Sequence, residues 1–460
     1  MILICRLYFF YRLLIVTGLV FIIDAQHYLY SSALPLNNEI SLLKQSLVPL
    51  NKVQNSLAVI NLIGQKRYVL IGDSTHGSEE FYQQRIDLSK QLIEYKNFKL
   101  VVLEADLLNV EQLNQYVHSS IPESASELLN VSNPEGAWIW NNKPMLDFLH
   151  WLKQYNTRFA DVSQKVSLHG MDIYSFARSR QAVVDYLQPF SLPAARQALQ
   201  RYQCFSQFKN LHQYGQQVTE EPSISCESAV TEQFLDFDLC RFPCPEKNSF
   251  IEQDAFFYTR ENARLVKHTE KNFRVLYQTA NDIESWNIRD QYMMASIRAI
   301  SAHLKQPKTI IWAHNSHLGD ARATQVAEQS QLNLGQLMRQ HFKQEVFSLG
   351  MITYTGEVLA ADEWQSPVKI KTLLNAHPES VAALFHSLGI SHFLLNLQQS
   401  EPLRQFLNKT RLQRHVGVIY QPQDELNSHY NRTHLADEFD AIIFIDRTSP
   451  IHLLGKGFWD

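Results

Sequence analysis

Short apolar, β-branched runs punctuate the chain at residues 68–71, 100–103, 166–168, 309–312, 346–349, 392–395, 416–420 and 441–445. Turn-forming or polar residues bound each one, the pattern of strands buried on both faces. Between most of them apolar residues recur every three or four positions, over 79–95, 145–155, 333–341 and 378–388, which predicts amphipathic helices. Strands alternating with helices in this way predict an α/β fold: a mainly parallel β-sheet flanked by helices on both faces.

The alternation stops over residues 176–305, where strand signals are few and helical periods are long, notably 254–277 and 287–303. This stretch reads as an inserted helical lobe, so the α/β core is expected from 38–175 and 306–450. Arg6 and Arg12 precede a run over 13–23 that is apolar except for Thr17 and Gly18, and Asp24-Ala25-Gln26 follows. A basic start, a short apolar stretch and a small residue after it read as a secretory signal over 1–25. The run is about half the ~20 residues a span requires, and an uncleaved membrane anchor is the alternative. Export to the periplasm or medium follows, with membrane association only through this segment.

Composition narrows the function classes. Apolar residues make up 45% and charged residues 19% of the 460 positions, which is ample for a packed core. A net charge of −4 with interspersed signs gives no basic field, so no nucleic-acid partner is expected. Four of the five cysteines, Cys204, Cys226, Cys240 and Cys244, cluster in the loop-rich part of the lobe. In an oxidising compartment they suggest two disulfides with three possible pairings; a zinc site is the rival, but no CxxC occurs. Asn130, Asn408 and Asn431 begin Asn-x-Ser/Thr triplets, which would matter only in a eukaryotic chain and are read here as chance occurrences.

Polar residues collect where the expected strands end: Asp73-Ser74-Thr75-His76, Glu104-Ala105-Asp106, His169-Gly170-Met171-Asp172 and Ala313-His314-Asn315-Ser316-His317. Open parallel sheets bind ligands outside the carboxyl ends of their strands, so these groups are expected to converge on one crevice. A histidine there can take a proton from water and return it to a leaving group, and Asp73 or Glu104 can orient it. Arg85, on the helix that follows, could stabilise a developing oxyanion or bind a carboxylate. GxSxG, P-loop and GxGxxG motifs are absent, and no cysteine sits in a thiol-nucleophile signature. HExxH is absent too, so no metal or other cofactor is expected, although His314, His317, Asp73, His76 and Glu104 are ligand types that suit zinc.

These segments resemble the erythromycin esterase family, which includes succinoglycan-biosynthesis-type proteins. Gly72-Asp73-Ser74-Thr75-His76-Gly77 through Arg85 resembles its GExxHG…EF…R, and Leu103-Glu104 its strand-end glutamate. Trp138-Ile139-Trp140-Asn141-Asn142, Trp286-Asn287-Ile288-Arg289-Asp290 and Trp312-Ala313-His314-Asn315-Ser316-His317 resemble further blocks, and Asn333-Leu334-Gly335, Ser428-His429-Tyr430 and Phe439-Asp440-Ala441 follow in order. The family usually has Glu where this chain has Asp73, which keeps the charge and loses a methylene of reach. The resemblance implies hydrolysis of a macrolide lactone or similar small-molecule ester by water activated at His76, and a link to antibiotic response. It also implies that Glu104, His314, Asp73 and Arg85 complete the catalytic set, with His317, Trp140 and Arg289 on the substrate. The alternatives are a metal-dependent hydrolase on the same scaffold and a non-catalytic envelope protein that binds a ligand or glycan.

Overall fold

The computed structural model describes residues 37–50, 56–118, 124–130, 137–242, 250–278, 282–364 and 366–455. The signal segment expected over 1–25 lies outside them, as does Cys244. Asn37–Ser46 is helical and belongs to a separate compact unit; the larger unit begins at Leu47.

Eleven strands form in the larger unit among the described residues: β1 Leu47–Pro49, β2 Tyr68–Asp73, β3 Phe98–Asp106, β4 Ser167–Asp172, β5 Lys308–His314, β6 Val346–Ala360, β7 Lys369–Leu373, β8 His392–Asn396, β9 Arg411–Arg414, β10 Tyr430–Thr433 and β11 Ala441–Thr448. Nine of them build one sheet in the order β1-β8-β11-β6-β2-β5-β3-β4, with β7 paired to β6, while β9 and β10 form a separate antiparallel pair. From β11 through β4 all neighbours run parallel. The outer pairings β1–β8, β8–β11 and β6–β7 are antiparallel.

Side-chain alternation explains why both faces are covered. Val69 and Ile71 of β2, with Val101, Leu103, Ile310 and Trp312, pack into one apolar cluster. Helices Glu79–Lys96 and Lys143–Asn156 close that side with Phe81, Ile86, Met145 and Phe148. Tyr68, Leu70, Leu100, Val102 and Ile311 point the other way, onto Met293 and Ile297 of helix Asp282–His303 and Leu334 and Met338 of helix Leu334–Phe342. Each such buried aliphatic side chain contributes roughly 1.5–3 kcal/mol.

Among the described residues six α-helices lie between β4 and β5, from Phe176–Phe190 to Asp282–His303. Five of them are lobe helices around a cluster of their own, which includes Val183, Leu187, Ala198, Tyr202, Tyr214 and Val266. Cys204 and Cys226, 22 residues apart in sequence, face each other there at disulfide distance. No helix among the described residues is long and apolar enough to cross a membrane.

Residues 416–420 are not a strand, contrary to their β-branched pattern. They make only isolated bridges, Val416 to Thr75 and Ile419 to Ala361, and the paired strand lies just before them at Arg411–Arg414. The segment runs across the ends of β2 and β6 instead of beside a neighbour, so Val416 and Tyr420 are buried without a ladder and Val418 and Ile419 stay partly exposed. That placement brings the 415–418 segment to the mouth of the sheet.

Candidate active site

The chain leaves β2 toward β3 and β4 on one side, then returns through β5, which inserts between β2 and β3, before crossing to β6 on the other side. This is a topological switch point, and a crevice opens at the carboxyl ends of its strands. A cavity of about 570 Å³ sits there, with His76, Glu104, His314, His317, Trp140 and Arg289 among its lining residues.

The loop after β2 is fixed by long-range backbone bonds. His76 N–H donates to Val416 O (3.1 Å), Val416 N–H donates to Ser74 O (2.8 Å), and Gly77 O accepts from Leu359 and Ile451. Gly77 has to be glycine, because a Cβ there would stand 1.9 Å from Leu359 O. The loop presents His76 with Nδ1 3.4 Å from Asp73 Oδ1 and Nε2 4.0 Å from Glu104 Oε1.

Asp73 and Arg85 do not line the cavity. Asp73 is fully buried, and Arg85 Nη1 is 2.7 Å from its Oδ2. The rest of the guanidinium donates to Ile71 O (3.2 Å) and Ala313 O. Arg85 shares the buried stripe of its helix with Phe81, Leu88 and Leu92, so its side chain reaches back beneath the strand ends. The oxyanion or carboxylate role expected for Arg85 is therefore not one this geometry serves. Arg85 is a positioning residue for Asp73, and through it for His76.

Glu104 is the hub. Its Oε2 accepts from His314 N–H (2.8 Å), while Oε1 lies 3.1 Å from Arg289 Nη2 and 3.3 Å from His317 Nε2. Burial pushes this carboxyl up, but His317, His76 and Arg289 outweigh burial and hold it well below the usual carboxylate range. Trp140 donates its indole N–H to Glu104 O (3.0 Å), fixing the strand end and leaving only its ring to meet a ligand. Asn142, in the same block, caps helix Lys143–Asn156 by accepting from Met145 N–H (2.8 Å).

Arg289 comes from the helix before β5. It grips Asp172 through Nε (2.9 Å) and Nη2 (2.6 Å) and keeps 17% of its side chain exposed. His317 has both nitrogens engaged, Nδ1 with Asp290 (2.9 Å) and Nε2 toward Glu104. Burial opposes its charge, but Asp290 and Glu104 prevail and raise it to about 9, so the ring is an imidazolium at neutral pH. Arg289 Nη1, 3.2 Å from the protonated Nε2, is then a neighbour and not a hydrogen-bond partner. His317 and Arg289, expected on the substrate, act first on the carboxylates; His317 has no nitrogen left to offer a ligand.

His314 behaves oppositely. Burial, helped by His76 and His415, holds it well below its ordinary value, so it is neutral. Its Nδ1 accepts from Ser316 N–H (3.3 Å), which leaves the proton on Nε2, and Nε2 is buried without a partner. The rings of His76 and His314 lie 4.8 Å apart. His415, which sequence reasoning missed, lies beyond His314 at 5.6 Å and lines the same cavity. Asp172, Asp290 and Trp286 were also absent from the expected set, although all three lie in segments the strand ends and motifs had marked. Among the described residues no group of three or more His, Cys, Asp or Glu side chains is arranged to hold a metal ion.

The arrangement offers a histidine backed by a buried ion pair, an ionised carboxylate, and uncharged imidazole donors around one cavity. Comparison with known proteins agrees with the sequence pattern. The erythromycin esterase family model matches residues 93–448. Erythromycin esterase type II of Escherichia coli is 23% identical over 330 residues, covering 65% of this chain and 72% of that protein. A putative hydrolase of Bacillus subtilis, YbfO, is 21% identical over 410 residues and 84% of each chain. The crystal structure of a succinoglycan biosynthesis protein superposes with a TM-score of 0.73 at 18% identity, over 91% of this chain and 98% of that one. The protein belongs to the erythromycin esterase family.

Proposed function

We propose that the protein is a hydrolase of carboxylic esters, with macrocyclic lactones as the first class to test, and that His76 is the general base. The observation that carries this reading is the pair of contacts on His76: Asp73 behind Nδ1, itself held by Arg85, and Glu104 4.0 Å in front of Nε2. Long contacts of this kind close to hydrogen-bond distance when substrate binds. In this reading the attacking water sits in the cavity within reach of His76 Nε2 and Glu104, which both line it.

In the proposed reaction that water attacks the ester carbonyl carbon while His76 Nε2 takes its proton. The carbonyl electron pair moves onto oxygen, giving a tetrahedral anion. Collapse of the anion breaks the bond to the alcohol oxygen, and the His76 imidazolium returns its proton to that oxygen. The products are a carboxylic acid and an alcohol. Glu104 is held too acidic to serve as the base itself, and it orients the water and balances the imidazolium. Two relatives bearing the name erythromycin esterase make erythromycin the first substrate to try.

The test is the mass of erythromycin after incubation with the protein, beside His76→Ala and with and without chelator. A gain of one water that disappears in the variant supports the reading. Loss of activity with chelator alone would point to a metal-dependent reaction on the same scaffold. Ligand retained without product, across erythromycin and a wider ester and glycan panel, would point to a binding protein.

A further inference from the structure

We infer that His415 is a third catalytic histidine, which with His314 forms a pair of uncharged imidazole donors for the oxygen of the substrate carbonyl as it becomes an anion. This inference rests on the ester-hydrolysis reading above. The geometry begins with three rings on one side of the cavity: His76 and His314 at 4.8 Å, then His314 and His415 at 5.6 Å. His415 is built into place from both sides. Its own N–H donates to His429 O (2.7 Å), its carbonyl faces His429 Nδ1 (3.1 Å), and the next residue is laced to Ser74 and His76.

The surroundings decide what such a ring can do. His76 has Asp73 and His317 has Asp290, and each of those pairs suits an imidazolium. No salt bridge joins His415 to a carboxylate among the described residues, and its Nδ1 is buried without a hydrogen-bond partner. His314 Nε2 is unpartnered in the same way. Burial lowers His415 to about 4, with His429 adding to the effect. A neutral imidazole carries one N–H and can polarise a carbonyl without giving up a proton. Two buried ring nitrogens without a partner, His314 Nε2 and His415 Nδ1, are costly to keep unless something accepts from them. An oxyanion is the group that gains most from such fixed donors, because it forms only during reaction.

The probe is phenyl butylphosphonate, a stable anion shaped like the tetrahedral intermediate of phenyl pentanoate hydrolysis. Its binding is measured by calorimetry on the full chain and on His415→Ala and His415→Gln, with thermal melting of each. The expected result is binding to the wild type, at least roughly tenfold weaker binding to His415→Ala, and recovery in His415→Gln, which keeps an N–H. On phenyl pentanoate the alanine variant should lose kcat while KM stays within a few-fold. Equal binding by wild type and His415→Ala overturns the proposal. So does failure of a folded His415→Gln to recover, or no binding by the wild type. His415-dependent phosphonate binding without turnover of any ester would leave the donor pair standing and defeat the hydrolysis reading.

Discussion

Trp286 lies flat against His317, with ring centroids 4.4 Å apart and planes within 2° of parallel. The indole face is electron-rich, so it favours the charged form of the imidazole that Asp290 and Glu104 already stabilise. One cation is thereby placed under Glu104 with contacts on three sides.

The first prediction follows from that cation. The folded His317 titrates at about 9, above the ordinary value of 6.5, so its stabilising contribution is complete below about 6.5 and is lost as pH rises through about 9. Stability and hydrolysis should both decline on the alkaline side near that pH. Trp286 fluorescence should change over the same interval, read as the difference between wild type and Trp286→Phe. In Asp290→Asn the inflection should move down by roughly one to three pH units, and in His317→Gln it should vanish. An inflection that ignores both substitutions would contradict the assignment.

Arg85→Met should leave Asp73 as an uncompensated buried charge and free two strand-end carbonyls of their donor. Breaking a buried pair from one side costs about 3–5 kcal/mol. Urea denaturation would register that loss. The double variant Arg85→Met with Asp73→Asn should recover part of the stability but not the activity, because His76 stays without its carboxylate.

Gly77→Ala tests the close approach of the β2 loop to β6. The added methyl would meet a backbone carbonyl, Leu359 O at 1.9 Å, which cannot swing away as a side chain would. A loss of at least about 1–3 kcal/mol is expected, with activity falling further because the same loop carries His76. A variant that melts with the wild type would show that the loop has room to shift.

Cys204 and Cys226 stand at disulfide distance in the helical lobe, remote in sequence from the site. A cross-link over a separation of this order contributes about 3 kcal/mol by restricting the unfolded chain. Replacing both with Ser should lower the melting temperature while leaving KM for any ester unchanged. Alkylation under native and reducing conditions, read by mass spectrometry, reports directly whether these thiols are joined.

The sequence announces His76, Glu104 and His314 because each ends a short apolar run, and a parallel sheet sends all such ends to one edge. Arg289 is legible only because the Trp286-to-Asp290 block resembles one of the erythromycin esterase family. Two matters are hidden for identifiable reasons. Arg85 belongs to the buried stripe of its helix, and periodicity alone cannot tell a buried arginine aimed at a carboxylate from one aimed at a ligand. His415 precedes a run that looks like a strand, which would put it at the strand's beginning and away from any site. Its true position depends on the bridge between Val416 and Thr75, a pairing between distant segments that leaves no periodic trace.

The same bridges set an order of assembly. The loop bearing His76 is tied not to its sequence neighbours but to Val416, and to Ser449 and Ile451, which accept from Glu79 or donate to Gly77. During synthesis the histidine emerges well before its supports. A nascent chain stopped before residue 416 would already hold most of the parallel sheet, yet its β2 loop would have no outer wall. Competence therefore arrives only when residues 416–451 lock the β2 loop, and deleting Ser449 to Ile451, which leaves β11 in place, should silence the protein before it unfolds it.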